Sequence, residues 1–516
     1  MQNVRARCFC TVARGGYQSL GSFHSDDVEA IVGLPSAAYS PPALPFDSVA
    51  WTAATLDDAA QTALGAEFRR HYLIDFEAWT FLNHGAFGGT LRPAFDLAAE
   101  WRRHSETQPL RYFDRELLPH LAWSVRSAAE FSECDPTELV LCANATAGLN
   151  AAVRGAVRAA AEAETETETE TGRSSADGAA RDNAARSSSL VMFDTGYGAV
   201  KTMARRVCAE EPQPMALRIA PSPALRFIGS GDESVEQDWS DAWAAALGGA
   251  LDGADADGAP ASVVVVDHVT SNTALALPLE RLAEICSARG VRLVVDGAHG
   301  LLCEHVEART LLDAGVFAYV SNAHKWLSAP KAAAVLCVKR ANQRWVRPAV
   351  LSHGAEDGFL SSFIWDGARD YTAALTLPFV FDFWRAVGVK RARGYCDAVA
   401  SSAATELARH WRVGDESAGQ PQWVASPPRP PLTAHCMRLI PLPAALQNRN
   451  GDSDEAAPSS NDAKAVQDAL HAEFAIEVPI KCVGGGLHAR VSAHVYNELA
   501  DFERLADAIG QLAARK

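Results

Sequence analysis

The sequence predicts an α/β protein: a mainly parallel, doubly wound sheet covered by helices, with a smaller second domain. Three observations carry this. The strand-length segments are continuous Val/Leu runs, as expected when helices cover both faces of a strand. They alternate with stretches of helical period. The low-complexity segments fall between these elements and so decorate one core rather than separate many domains.

Taken in order, residues 1–70 form a leader and N-terminal segment, 71–350 a large domain, and 351–516 a smaller C-terminal α+β domain. In the large domain a strand is expected at 138–142, a helix at 147–163, and strands at 189–193 and 263–267. A helix at 279–289 and strands at 291–295 and 317–321 follow. Four segments read as solvated insertions: 161–187 with its Glu-Thr repeat, the Gly/Asp/Ala-rich 248–260, the Pro/Ser/Gly-rich 413–432 and the Asn/Ser/Asp-rich 448–462. From about 370 onward helices and short strands are expected.

Composition excludes several classes of function. The 516 residues are 48% hydrophobic and 21% charged, with a net charge of −16. An acidic chain without basic clusters is a poor partner for nucleic acid or for an anionic membrane. No apolar run approaches the roughly 18–20 residues that cross a bilayer. The 11 cysteines are scattered and contain no C-x-x-C, which argues against a disulfide framework and a zinc site. No metal is expected, and the thiols read as buried and free. Residues 1–25 carry Arg5, Arg7 and Arg14 and no acid, the pattern of a disordered leader or of an organelle transit peptide. The expected location is the cytoplasm, with a mitochondrion or plastid as the alternative.

The chemistry gathers at strand ends. Asp296 directly follows a buried strand, at the carboxyl edge where such sheets bind ligands, and Gly297 beside it would admit a flat ligand. Alone, such an aspartate is as easily a helix cap or a metal ligand. Lys325 follows the next strand, between His324 and Trp326. Shielded from water, its amine would lose its proton and become nucleophilic. A lysine for an aldehyde and an acid for a pyridine nitrogen are what pyridoxal phosphate requires. Ala145 and Thr146 lie between a strand and a helix, where backbone N–H groups and a hydroxyl suit a phosphate. Helix capping is the alternative role for Thr146.

In order along the chain stand Phe81 to Gly88, Asn144 to Gly148, Asp267 to Ser271, Asp296 to His299, Ser321 to Trp326, Trp365 to Asp370 and Ala489 to Ser492. From about Tyr72 to near the C-terminus this set resembles the class V aminotransferase family. That family has fold type I of the pyridoxal-phosphate enzymes. The branch resembled includes isopenicillin N epimerase-like proteins, cysteine desulfhydrases and ergothioneine-pathway C–S lyases. The resemblance implies that Lys325 holds the cofactor as a Schiff base, Asp296 pairs with the ring nitrogen and His299 meets the ring hydroxyl. It implies that Thr146, Asn322 and His324 hold the phosphate, with Ala145 and Ser271 also at the cofactor. Tyr197 would stack on the ring, plain core packing being the alternative. Arg490 would clamp the substrate carboxylate, with a structural ion pair as the alternative. Asn83 and His84 would line the substrate pocket, a capping role being open for His84. Relatives carry Thr where this chain has Ala368, so a hydroxyl that reaches the partner subunit's phosphate is missing here. A homodimer is nonetheless expected.

Cysteine desulfurases of this superfamily need a nucleophilic cysteine near the carboxylate-binding arginine. Cys482 precedes Arg490 but reads as part of a strand rather than of a mobile loop. The expected reaction is therefore direct β-elimination on cysteine, a cysteine conjugate or a sulfoxide, giving pyruvate and ammonia. Epimerisation, transamination, desulfuration and a non-catalytic relative of the fold are the alternatives.

Overall fold

The computed structural model describes residues 12, 26–170, 188–210, 215–224, 235–253, 259–412, 433–447 and 457–515. The possible leader at 1–25, apart from residue 12, and the expected insertion at 413–432 lie outside the described residues, as do 171–187, 254–258 and 448–456 of the other insertions.

Seven strands form the large sheet: β1 (Leu139–Cys142), β2 (Ser189–Phe193), β3 (Ala216–Ala220), β4 (Ala261–Asp267), β5 (Arg292–Asp296), β6 (Val316–Asn322) and β7 (Ala334–Val338). Their order is β1-β7-β6-β5-β4-β2-β3. β7 runs antiparallel to both its neighbours, β1 and β6, and the other pairs are parallel. The central strands are buried along their length, Val263 to Val266 and Leu293 to Val295 included, and this explains their unbroken Val/Leu runs. The expected strands all form. Two more were not anticipated. β3 is a short edge strand with polar and half-buried positions, and β7 returns directly beside β6. A close antiparallel return shows no helical crossover in the sequence to announce it.

A smaller antiparallel sheet has the order β9-β10-β8, from β8 (Met437–Pro441), β9 (Ile480–Val483) and β10 (Gly486–Ser492). It builds a second core with helices Val389–His410, Ser460–Phe474 and Leu499–Ala513. Leu82, from the N-terminal side, packs into that second core.

Three of the expected insertions are partly structured. Helix α1 (Ala145–Glu170) runs through most of the Glu-Thr repeat, because Ala and Glu favour helix strongly enough to continue one that is already nucleated and packed. Helix Val235–Asp252 takes in the start of 248–260. Ser459 and Asp462 form a capping box that opens the helix Ser460–Phe474. Each reading missed the same thing: a polar or small residue is ordered when it ends or extends a helix whose apolar face is already buried.

Candidate active site

Three neighbouring strands end in polar side chains at the same edge of the sheet: Asp267 on β4, Asp296 on β5 and Asn322 on β6. Asp267 and Asp296 are register partners, so their side chains leave the same face. At the ~4.8 Å spacing of strands, two ionised carboxylates repel by about 3.5 kcal/mol at an effective dielectric near 20. Burial and then Asp296 push the Asp267 carboxyl well above the usual range. Burial also raises Asp296, but the Ala298 N–H at 3.0 Å and the Lys325 charge oppose the rise. Asp267 is therefore the member of the pair that more readily takes a proton, and Asp296 the one that more readily stays ionised.

Lys325 lies on the segment that joins β6 to β7 across this edge. The segment is pinned at both ends: Ala323 and His324 donate their N–H groups to the Ala333 carbonyl, and Asn322 accepts from the Ala145 N–H at 2.8 Å. Burial lowers the Lys325 amine to about 8, against the opposing pull of Asp296. Its Nζ lies 3.1 Å from His299 Nε2. The Trp326 indole N–H donates to His299 Nδ1 at 3.3 Å. Burial keeps His299 neutral, well below its usual pKa. The Trp326 bond therefore places the His299 proton on Nε2, facing Lys325.

The opposite wall is the small sheet. Arg490 on β10 is only 3% exposed. Its guanidinium donates to the Ser271 carbonyl at 2.6 Å and to Asn83 Oδ1 at 3.0 Å, while Nε finds no partner. Both partners are neutral. A buried cation without an anion is costly, and burial has already lowered this one to about 10. Among the described residues no carboxylate pairs with it. The arrangement is complete only when a ligand supplies the negative charge. Asn83 is fixed in turn by donating to Glu477 at 3.2 Å.

Between the walls lies a cavity of about 490 Å³, within the usual range for small-molecule sites. The structure brings to it Lys325, Asp296, His299, Ala145, Thr146, Tyr197, Asn322, His324, Ser271, Arg490 and Asn83. Tyr197 is 47% exposed there. Thr146 stands at the start of α1, and Asn144 rather than Thr146 caps the helix, accepting from the Ala147 N–H at 2.9 Å. Ser271 contributes its main-chain carbonyl, which positions Arg490. His324 donates Nδ1–H to the Ala333 carbonyl at 2.8 Å, and burial lowers it to about 4. It can donate to an anion from its other nitrogen only once protonated.

Two expectations are corrected. His84 does not line the cavity. It is fully buried, and it stacks 4.0 Å from His494, centroid to centroid. With Nδ1 2.8 Å from the Tyr496 hydroxyl and Nε2 3.0 Å from the Lys325 carbonyl, it braces the lysine segment from behind. Gly297 admits no ligand: a Cβ there would lie 2.3 Å from the Tyr319 ring, so the glycine makes room for a neighbouring strand's side chain. Sequence reasoning also gave no role to Asp267, which stands in one of the motifs and ends a buried strand just as Asp296 does, and passed over Lys481 and Gln467 on the cavity wall. Cys482 does not line this cavity but lines the one that adjoins it. Its thiol donates to the Pro458 carbonyl at 3.1 Å and is pushed up by burial, the reverse of what a nucleophile needs.

No family model matches the chain. The chain is 27% identical over 455 residues to the putative L-cysteine desulfhydrase 1 of Oryza sativa subsp. japonica, across 84% of this chain and 83% of that protein. It is 27% identical to the isopenicillin N epimerase of Amycolatopsis lactamdurans, across 84% of this chain and 96% of that one. Among solved structures, the complex of the cystine C–S lyase C-DES with cysteine persulfide matches with a TM-score of 0.59 at 15% identity, covering 84% of this chain and 97% of that chain. The apo cysteine desulfurase of Thermococcus onnurineus also gives 0.59, at 15% identity, covering 88% of this chain and all of that one. The fold is that of these enzymes, fold type I, as the motif resemblance implied.

Proposed function

We propose that the protein is a pyridoxal-phosphate-dependent C–S lyase acting on cysteine or a cysteine conjugate. The observation that carries this reading is the pairing across one cavity of a deprotonatable lysine and an arginine that lacks an anion. The residues fit the cofactor: a nucleophilic amine at Lys325, an anionic acid at Asp296, a fixed N–H donor at His299 and the N-terminus of α1 for the phosphate. Thr146, Asn322, His324, Ala145 and Ser271 complete the rim, and Tyr197 offers its face to the ring. When bound, pyridoxal phosphate supplies an electron sink for the charge left at the substrate α-carbon.

The chain's own groups do the rest. Arg490 takes the α-carboxylate in a charge-assisted pair and so sets which α-substituent faces the lysine. The neutral amine of Lys325 removes the α-proton, with His299 Nε2–H beside it. Asp296 stays ionised because Asp267 more readily takes a proton. The sulfur then leaves with its bonding pair. For cysteine the balance is one water consumed and one each of sulfide, pyruvate and ammonia released. The Cys482 thiol, bound to the Pro458 carbonyl and pushed up by burial, speaks for this course over persulfide transfer.

A panel of amino acids tests the reading. Cysteine or its conjugates should release pyruvate and the thiol in equal amounts. The likeness to an epimerase keeps a second reading in view: loss of α-chirality without pyruvate would identify it, and conversion of the cofactor to its amine form would identify an aminotransferase. We further propose a homodimer, in which Ala368, exposed beside Gly367, offers no hydroxyl to the partner's site. Sedimentation of the loaded protein as a monomer would contradict that. No single helix among the described residues is long and apolar enough to cross a membrane. We place the protein in the cytoplasm, or in an organelle if 1–25 direct it there, and a fluorescent fusion with and without 1–25 decides between them.

A further inference from the structure

The cavity beside Lys325 continues past Arg490. A second cavity of about 500 Å³ adjoins it, and Asn272, Gln467 and Lys481 line both. Lys481 on β9 pairs with His488 on β10, and Arg490 lies two residues further along the same strand. Strand alternation therefore turns Lys481 and Arg490 to one face of the small sheet, at a diagonal spacing of roughly 7–8 Å. Burial lowers the Lys481 amine and Arg490 lowers it further. Among the described residues no carboxylate pairs with either cation. Two partly desolvated like charges on one face are unfavourable, and a ligand with two anionic groups relieves both.

Building on the elimination reading, we infer that the substrate is a cysteine conjugate whose sulfur substituent carries a second carboxylate. Arg490 takes the α-carboxylate. Lys481 takes the second, and the substituent lies in the adjoining cavity. Free cysteine would fill neither that space nor that charge. The far wall carries Thr195, Thr273 and the Asp194 carboxylate, which accepts from the Ser222 N–H, so the second carboxylate stays at Lys481 on the shared rim; Ile480, Cys482 and Val483 of the small sheet close the other side.

The test uses two kinds of probe. Cofactor-free protein is titrated calorimetrically with glutarate and with butyrate. Loaded protein is assayed with S-(2-carboxyethyl)-L-cysteine and S-propyl-L-cysteine. Glutarate should bind about tenfold or more tightly than butyrate, and kcat/KM should favour the carboxyethyl conjugate by a similar factor, as expected for one charge-assisted contact. Lys481→Gln should erase both preferences, and Lys481→Arg should keep them. Equal binding and equal kcat/KM for the two tails in the wild type overturn the inference. A glutarate preference that depends on Lys481, with no conjugate yielding pyruvate, upholds the two-cation site and removes the elimination reading instead.

Discussion

The two walls of the cavity treat charge in opposite ways. On the large-sheet wall charge is balanced: Lys325 faces Asp296, and burial and then Asp296 push the Asp267 carboxyl up. On the small-sheet wall Arg490 has only the Ser271 carbonyl and the Asn83 amide, and Lys481 has no carboxylate among the described residues. The first wall pairs its charges within the protein, whereas the second presents cations that suit an anionic ligand. Under the proposed function the difference divides the tasks: proton movement falls to the large sheet, and anion recognition to the small one.

Changes to the first wall should have the largest effects. Lys325→Ala should abolish turnover while the protein stays folded, seen as an unchanged circular dichroism spectrum with no pyruvate released. Asp296→Asn should bind cofactor yet slow α-proton removal by about a thousandfold, whereas Asp267→Asn should keep at least about a tenth of the activity, since Asp267 is the one that more readily takes a proton. Comparable losses in the two aspartate variants would erase the distinction between them. Arg490→Gln should cost about 3 kcal/mol, roughly a hundredfold in kcat/KM, and should relax the requirement for an α-carboxylate.

Smaller effects sharpen the contrast. The rate of cofactor uptake should rise about tenfold per pH unit below 8 and level off above it, because burial sets the Lys325 amine at about 8 and only its neutral form attacks an aldehyde. A rise that continued to pH 10 would mean an amine at its ordinary value. His84→Ala leaves the Tyr496 hydroxyl and the Lys325 carbonyl without this partner, and should lower unfolding stability by about 2–4 kcal/mol in a denaturant titration. Cys482→Ser should stay within about twofold of the wild-type rate on L-cysteine, since its thiol donates to the Pro458 carbonyl and lines only the adjoining cavity, which free cysteine does not fill.

The large-sheet wall was largely legible in the sequence, because Asp296, Asn322 and Lys325 sit at the ends of strands whose apolar runs mark them. Asp267 carried the same mark, but its meaning depends on which strands are neighbours, and strand order is not written locally. The small-sheet wall was less legible. Lys481 acquires significance only through its register with β10, and β9 is four residues long. His84 was misplaced because side-chain direction at a short helical turn follows from the backbone there, not from the identity of its neighbour Asn83.

The most direct measurement is borohydride reduction of the protein loaded with pyridoxal phosphate, followed by peptide mapping. Among the described residues burial lowers three lysines, Lys325, Lys331 and Lys481, so the experiment offers real competitors. The account predicts the cofactor on Lys325. Attachment at Lys331, Lys481 or any other lysine would contradict it.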